Sequence, residues 1–125
     1  MPIEYRFRVS VTPEFLPDHT DVEALRYVFA YHITIVNEGQ HSAQLQARHW
    51  WITDGNDRTE EVVGEGVVGE KPVINPGSTY HYSSFSILDT PVGMMYGTYQ
   101  MVGEDGMEFE IEIPAFTLAL PGCLN

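Results

Sequence analysis

Gly64-Glu65-Gly66-Val67-Val68-Gly69-Glu70-Lys71-Pro72-Val73-Ile74-Asn75-Pro76-Gly77 decides between two folds. Its glycines at 64, 66 and 69 spell G-x-G-x-x-G, the spacing that cradles pyrophosphate in dinucleotide-binding α/β folds. That reading needs a strand before the motif, a helix opening at its end, and an acidic ribose ligand about 20 residues on. Residues 58–63 can supply the strand. No helix can open directly, because Pro72 pushes Lys71 toward extended geometry and Asn75-Pro76-Gly77 is a turn. The stretch is therefore a glycine-punctuated loop around an apolar Val67-Val68 pair, leading into an extended segment and a turn.

On either side of the loop, hydrophobicity alternates with a period of two. Ile3, Tyr5, Phe7, Val9 and Val11 alternate with Glu4, Arg6, Arg8 and Ser10, a half-buried strand that Thr12-Pro13 should end. Residues 13–21, with Pro17 inside, read as an irregular connection, and 22–25 as no more than a brief helical turn. In residues 26–36, Tyr27, Phe29, Tyr31, Ile33 and Ile35 share one face, while the other is mixed, as in the middle of a sheet. In residues 44–53 each face carries one tryptophan, Trp50 or Trp51, and the pattern leaves open which one enters the core. Asp54-Gly55-Asn56-Asp57 and Gly103-Glu104-Asp105-Gly106 are hairpin turns, the first with Gly55 and Asn56 suited to positive φ. Residues 78–88 set Tyr80 and Tyr82 opposite His81, Phe85 and Ile87. Residues 95–102 form a further strand after the break at Thr90-Pro91. Met107, Phe109, Ile111 and Ile113 alternate with Glu108, Glu110 and Glu112; Pro114 then interrupts before residues 115–120. Seven to nine short strands and no convincing helix predict a single all-β domain over residues 1–125, an antiparallel β-sandwich of immunoglobulin or fibronectin type III-like form.

Composition narrows the partners. A formal charge of −12 repels phosphate backbones, which argues against nucleic acid and favours divalent cations or a basic protein patch. The lone Cys123 cannot form an internal disulfide, no run approaches the ~20 apolar residues that span a bilayer, and no apolar signal core follows Met1. A cytoplasmic protein without membrane contact is expected.

The loop, read as Gly64-x-Gly66-Val67-Val68-Gly69-Glu70-x-Pro72-x-Ile74-x-Pro76-Gly77, resembles the signature of the ApaG family, small bacterial proteins also known as CorD. The resemblance extends through Tyr27-Val28-Phe29-Ala30-Tyr31-x-Ile33-x-Ile35-x-Asn37 and Arg48-x-Trp50-x-Ile52-Thr53-Asp54. Tyr82-x-Ser84, Thr90-Pro91-x-Gly93-x-Met95-x-Gly97-x-Tyr99-x-Met101 and Ile113-Pro114-x-Phe116-x-Leu118 continue it in order. Phe85 departs from it, standing where the family often has a small residue. The resemblance implies a fibronectin type III-like fold and no established enzymatic activity; no cofactor is expected. It also implies a genetic association with magnesium and cobalt handling. The same domain occurs within larger eukaryotic proteins, F-box proteins among them, where it suggests protein–protein interaction.

Candidate sites follow from the residues. The backbone of Gly64, Gly66, Val67, Val68 and Gly69, with Lys71, can form a nest for pyrophosphate or a nucleotide phosphate. Against this, Glu60, Glu61, Glu65 and Glu70 surround the loop, and glycines equally permit a bulged crossover between sheets. Glu108, Glu110 and Glu112 are the candidate for a weak Ca²⁺ or Mg²⁺ site, or else a solubilising face that discourages edge pairing. The histidines at 19, 32, 41, 49 and 81 have no metal-motif spacing, and Ser83-Ser84 lacks nucleophile-elbow glycines. The resemblance, together with the lack of a catalytic constellation in the sequence, implies a non-enzymatic module that recognises a protein partner, with a small-anion binder as the alternative and homo-oligomerisation open.

Overall fold

The computed structural model describes residues 3–123. In chain order its strands are β1 (Phe7–Phe15), β2 (Tyr27–Asn37), β3 (Ala43–Asp54), β4 (Thr59–Glu65), β5 (Val73–Ile74), β6 (Thr79–Leu88), β7 (Val92–Gly103) and β8 (Glu108–Ala119). Two antiparallel sheets, β1-β2-β6 and β4-β3-β7-β8, face each other, and β5 adds to β3. This is the expected sandwich. Among the described residues the only helical element is a 3-10 turn at Pro17–His19, and no helix is long and apolar enough to cross a membrane.

Strand β2 lies between β1 and β6, as its two-faced pattern requires. Tyr27, Phe29, Tyr31, Ile33 and Ile35 all point into one core, where they meet Leu45, Met95, Tyr99, Met101 and Leu118. Asn37 ends β2 as a buried polar staple. Its Nδ2 donates to the carbonyls of His41 and Ile74, both at 2.9 Å, and its Oδ1 accepts from Gly39 N–H.

Three expectations are corrected. Pro13 does not end β1, which runs from Phe7 to Phe15 with Pro13 paired to Tyr31. Pro114 does not interrupt β8; Pro114 and Ala115 together oppose Tyr96 of β7 in a bulge. Both prolines sit on strands at the end of a sheet, where a missing N–H can face away from the ladder. In the Asp54 hairpin the left-handed residue is Asp57 (φ 61), not Gly55 or Asn56. Asp54 supports that turn by accepting from the N–H groups of Asn56 and Arg58. Residues 22–25 form a single turn, Leu25 N–H donating to Val22 O at 3.1 Å, closed by the Asp21–Arg26 bridge.

A bulge at Gln46 decides between the tryptophans. Pairing with β7 shifts between Leu45 and Ala47, so Leu45 and Trp50, five residues apart, both face inward. Trp50 is 2% exposed, whereas Trp51 lies on the outer face.

Candidate functional site

The glycine loop is the excursion between β4 and β5, which pair with the same side of β3. It spans the Gln46 bulge: Gly66 N–H donates to Gln46 O at 2.8 Å, and Leu45 N–H to Pro72 O at 3.0 Å. Val67 and Glu70 exchange backbone hydrogen bonds of 2.8 and 2.9 Å around Val68 (φ 43) and Gly69 (φ 82), a type I′ arrangement. The turn drives Val67 fully into the core and leaves Val68 exposed.

Among the anion candidates, the Gly66 and Val67 amides are therefore engaged by Gln46 O and Glu70 O. Lys71 Nζ lies 3.7 Å from the Glu65 carboxylate. Gly64 is part of β4, opposite Arg48, and lacks the positive φ of Gly66. Arg48 is the residue that sequence proximity missed. Its guanidinium covers Gly64, where an added Cβ would sit 2.8 Å away, and its Nη1 donates to Glu65 O and Gly66 O, each at 3.0 Å. Only cross-strand register brings it there.

Behind Arg48 lies a polar seam in the core. The hydroxyls of Tyr82 and Tyr99 are hydrogen-bonded to each other. Burial pushes the phenols of Tyr31, Tyr82 and Tyr99 above their ordinary range, with the Arg48 charge a smaller opposing influence on all three. A sign follows for stability. Above pH ~10 the unfolded chain loses phenolic protons that the folded chain keeps, so the unfolded state binds fewer protons and stability falls as pH rises. Stability from these groups is complete below that pH. We expect the free energy of urea unfolding to drop steeply between pH 10 and 11, by up to about 1.4 kcal/mol per pH unit for each buried tyrosine. Tyr99→Phe should flatten this fall; an identical slope in the variant would contradict the assignment.

Glu108, Glu110 and Glu112 occupy alternate outward positions of β8 and are all exposed. Among the described residues no group of three or more His, Cys, Asp or Glu side chains converges as a metal-binding set. Four of the histidines, at 32, 41, 49 and 81, instead take separate partners. His41 Nδ1 lies 2.6 Å from Glu104, His49 Nε2 lies 2.6 Å from Glu61, and His81 Nδ1 lies 3.1 Å from Thr34.

One such row joins Ser83, His32 and Glu14, on β6, β2 and β1. His32 Nδ1 is 2.6 Å from Ser83 Oγ, and Nε2 is 2.9 Å from Glu14 Oε1. The residue types are those of a hydrolase triad, but the row lies on an open sheet face with all three residues exposed. Serine activation draws on a water-excluded site with donors aimed at the developing oxyanion, which this exposed setting does not provide.

The other outer face carries aromatics. Trp51 stacks on His49 at 3.9 Å (22° between planes) and on Tyr96 at 5.6 Å (10°). Val63, on β4, pairs with His49, and Met94 lies next but one to Tyr96 on β7; both are exposed. The alternation along β3 puts His49 and Trp51 on one face, but the second ring partner, Tyr96, is brought there only by pairing between β3 and β7.

The ApaG domain family model matches residues 17–103. Protein ApaG of Aromatoleum aromaticum is 53% identical over 122 residues, covering 98% of this chain and 96% of the relative. Protein ApaG of Thiobacillus denitrificans is 54% identical with the same coverage. Among solved structures, a putative ApaA protein from Bordetella pertussis superposes with a TM-score of 0.92 at 49% identity, covering 97% of this chain and 99% of that one. With the family model matching more than half of the chain and relatives this similar along nearly all of it, the chain belongs to the ApaG domain family.

Proposed function

We propose that the chain is a non-enzymatic, cytoplasmic interaction module that recognises a protein partner through an outer sheet face. One observation carries the reading: large apolar side chains project to solvent at regular outward strand positions. Phe85 (69% exposed) and Ile87 do so on β6; Val63 (67%), Met94 and Tyr96 do so on the opposite sheet. Apolar residues grouped on a face, unlike singly scattered ones, are what interaction sites present. The link to magnesium and cobalt handling implied by the family then runs through the partner. Photo-crosslinking side chains placed at Phe85 and at Trp51 are expected to trap a defined protein in host cells from at least one face. A chain that traps nothing from either position would refute the module.

A second reading, a small-anion binder, is favoured by one observation: Arg48 lies directly over the glycine loop. Calorimetric titration with pyrophosphate tests it.

A further inference from the structure

We propose that the outer face of β4-β3-β7-β8 docks a basic, extended segment of a partner protein. This deepens the interaction-module reading and rests on it.

The argument is one of register. Glu61 of β4 lies opposite Trp51 of β3, which lies opposite Tyr96 of β7. One row along, Val63, His49, Thr98 and Glu112 follow in line, and one further come Glu65, Ala47, Gln100 and Glu110. The two central strands thus present an aromatic and neutral surface. Lines of carboxylates flank it, on β4 at one side and β8 at the other. With neighbouring strands ~4.8 Å apart, the two lines are separated by ~14 Å. A chain laid along the central strands has its alternate side chains within reach of both.

No lysine or arginine within these strands neutralises the face; from outside them Lys71 Nζ lies 3.7 Å from Glu65, and within the face His49 Nε2 lies 2.6 Å from Glu61, whose carboxylate stays half-exposed. β4, β7 and β8 contain neither lysine nor arginine, and Arg48 of β3 is turned onto Gly64 and the loop carbonyls. Lys and Arg have the matching form: aliphatic stems that cover apolar and aromatic surface, and charged heads that continue to carboxylates. An acidic partner is repelled, and so is this same face of a second copy. A divalent cation is a poorer match, because the glutamates of β8 are spread at alternate positions along a strand instead of converging on one point.

The test uses the full chain and a fluorescein-labelled ten-residue peptide alternating Arg and Ser, read by anisotropy. Saturable binding is expected, at least tenfold weaker for Glu61→Gln/Glu112→Gln and for Trp51→Ser, with melting temperatures close to that of the parent. Asp18→Asn/Glu23→Gln removes two charges from the β1–β2 connection and should weaken binding less than threefold. No saturable binding overturns the proposal. So does a control pair that loses as much as the face pair, since the peptide then reads only the net charge. If the peptide fails while cross-linking from Phe85 traps a partner, this face is refuted and the module reading survives. If cross-linking fails at both positions, that reading falls on its own account.

Discussion

Gly66→Val is expected to lose about 3 kcal/mol in urea unfolding, combining backbone strain with a steric clash. Gly66 has φ +61, and a Cβ there would sit 2.3 Å from Glu70 O and 3.0 Å from its carbonyl carbon. A β-branched residue disfavours that φ, and the neighbour is backbone that cannot rotate aside. Relief requires opening the Val67–Glu70 turn, which would withdraw Val67 from the core and release the Gly66 N–H that bridges to the Gln46 bulge. Gly69→Ala isolates the two contributions. Gly69 has φ +82, but among the described residues nothing lies within 4 Å of an added Cβ, so only the left-handed penalty of about 1 kcal/mol applies. Equal losses in the two variants would mean that the loop is not sterically locked. The same proteins decide the anion reading by calorimetry. We expect no saturable pyrophosphate heat, because the engaged amides and the paired Lys71 leave little to receive it. Tight binding by the parent that vanishes in Lys71→Gln, with stability unchanged, would promote the anion site.

What the sequence disclosed depended on whether the signal was local. β2 was legible because a central strand needs an apolar face, and five alternating large residues supply it. The glycine loop was legible as a loop because Pro72 and Asn75-Pro76-Gly77 exclude a helix on stereochemical grounds. The outward position of Phe85, opposite in phase to Tyr82, was likewise local. Pro13 and Pro114 misled because proline breaks a central strand but is tolerated at a sheet edge, and edge position is a tertiary property. The bulges at Gln46 and at Pro114-Ala115 each add one residue and reverse the phase of everything beyond. Arg48 over the loop, the Ser83–His32–Glu14 row and the Trp51–Tyr96 stack all depend on register between distant strands, so no reading of neighbours along the chain assembles them.

The adjacent tryptophans should behave as opposites, and the bulge is the reason. Trp50→Ala is expected to cost about 3–5 kcal/mol, since it removes the largest inward side chain of β3 from a site where little can collapse. Its indole lies edge-on to Tyr31, Tyr99 and Phe116 at centroid distances of 5.4, 6.5 and 5.9 Å, rings drawn from both sheets. Trp50→Phe should cost far less than the alanine change. Part of the ring volume is kept, and Nε1, a buried donor with no hydrogen-bond partner among the described residues, is removed together with its desolvation penalty. Trp51→Ala loses only a half-buried stack on His49 and Tyr96 at the outer face and should cost about 1 kcal/mol or less. Urea unfolding of the three variants measures the stabilities. Fluorescence gives an independent reading: with Trp51→Phe the remaining Trp50 should emit at short wavelength, and with Trp50→Phe the remaining Trp51 should emit at longer wavelength and be quenched by added iodide or acrylamide. Similar stability losses for Trp50→Ala and Trp51→Ala would mean that β3 carries no phase reversal at Gln46. The glycine loop would then lose the bulge that it spans, and the outer face would lose the aromatic slab on which a basic segment is proposed to lie.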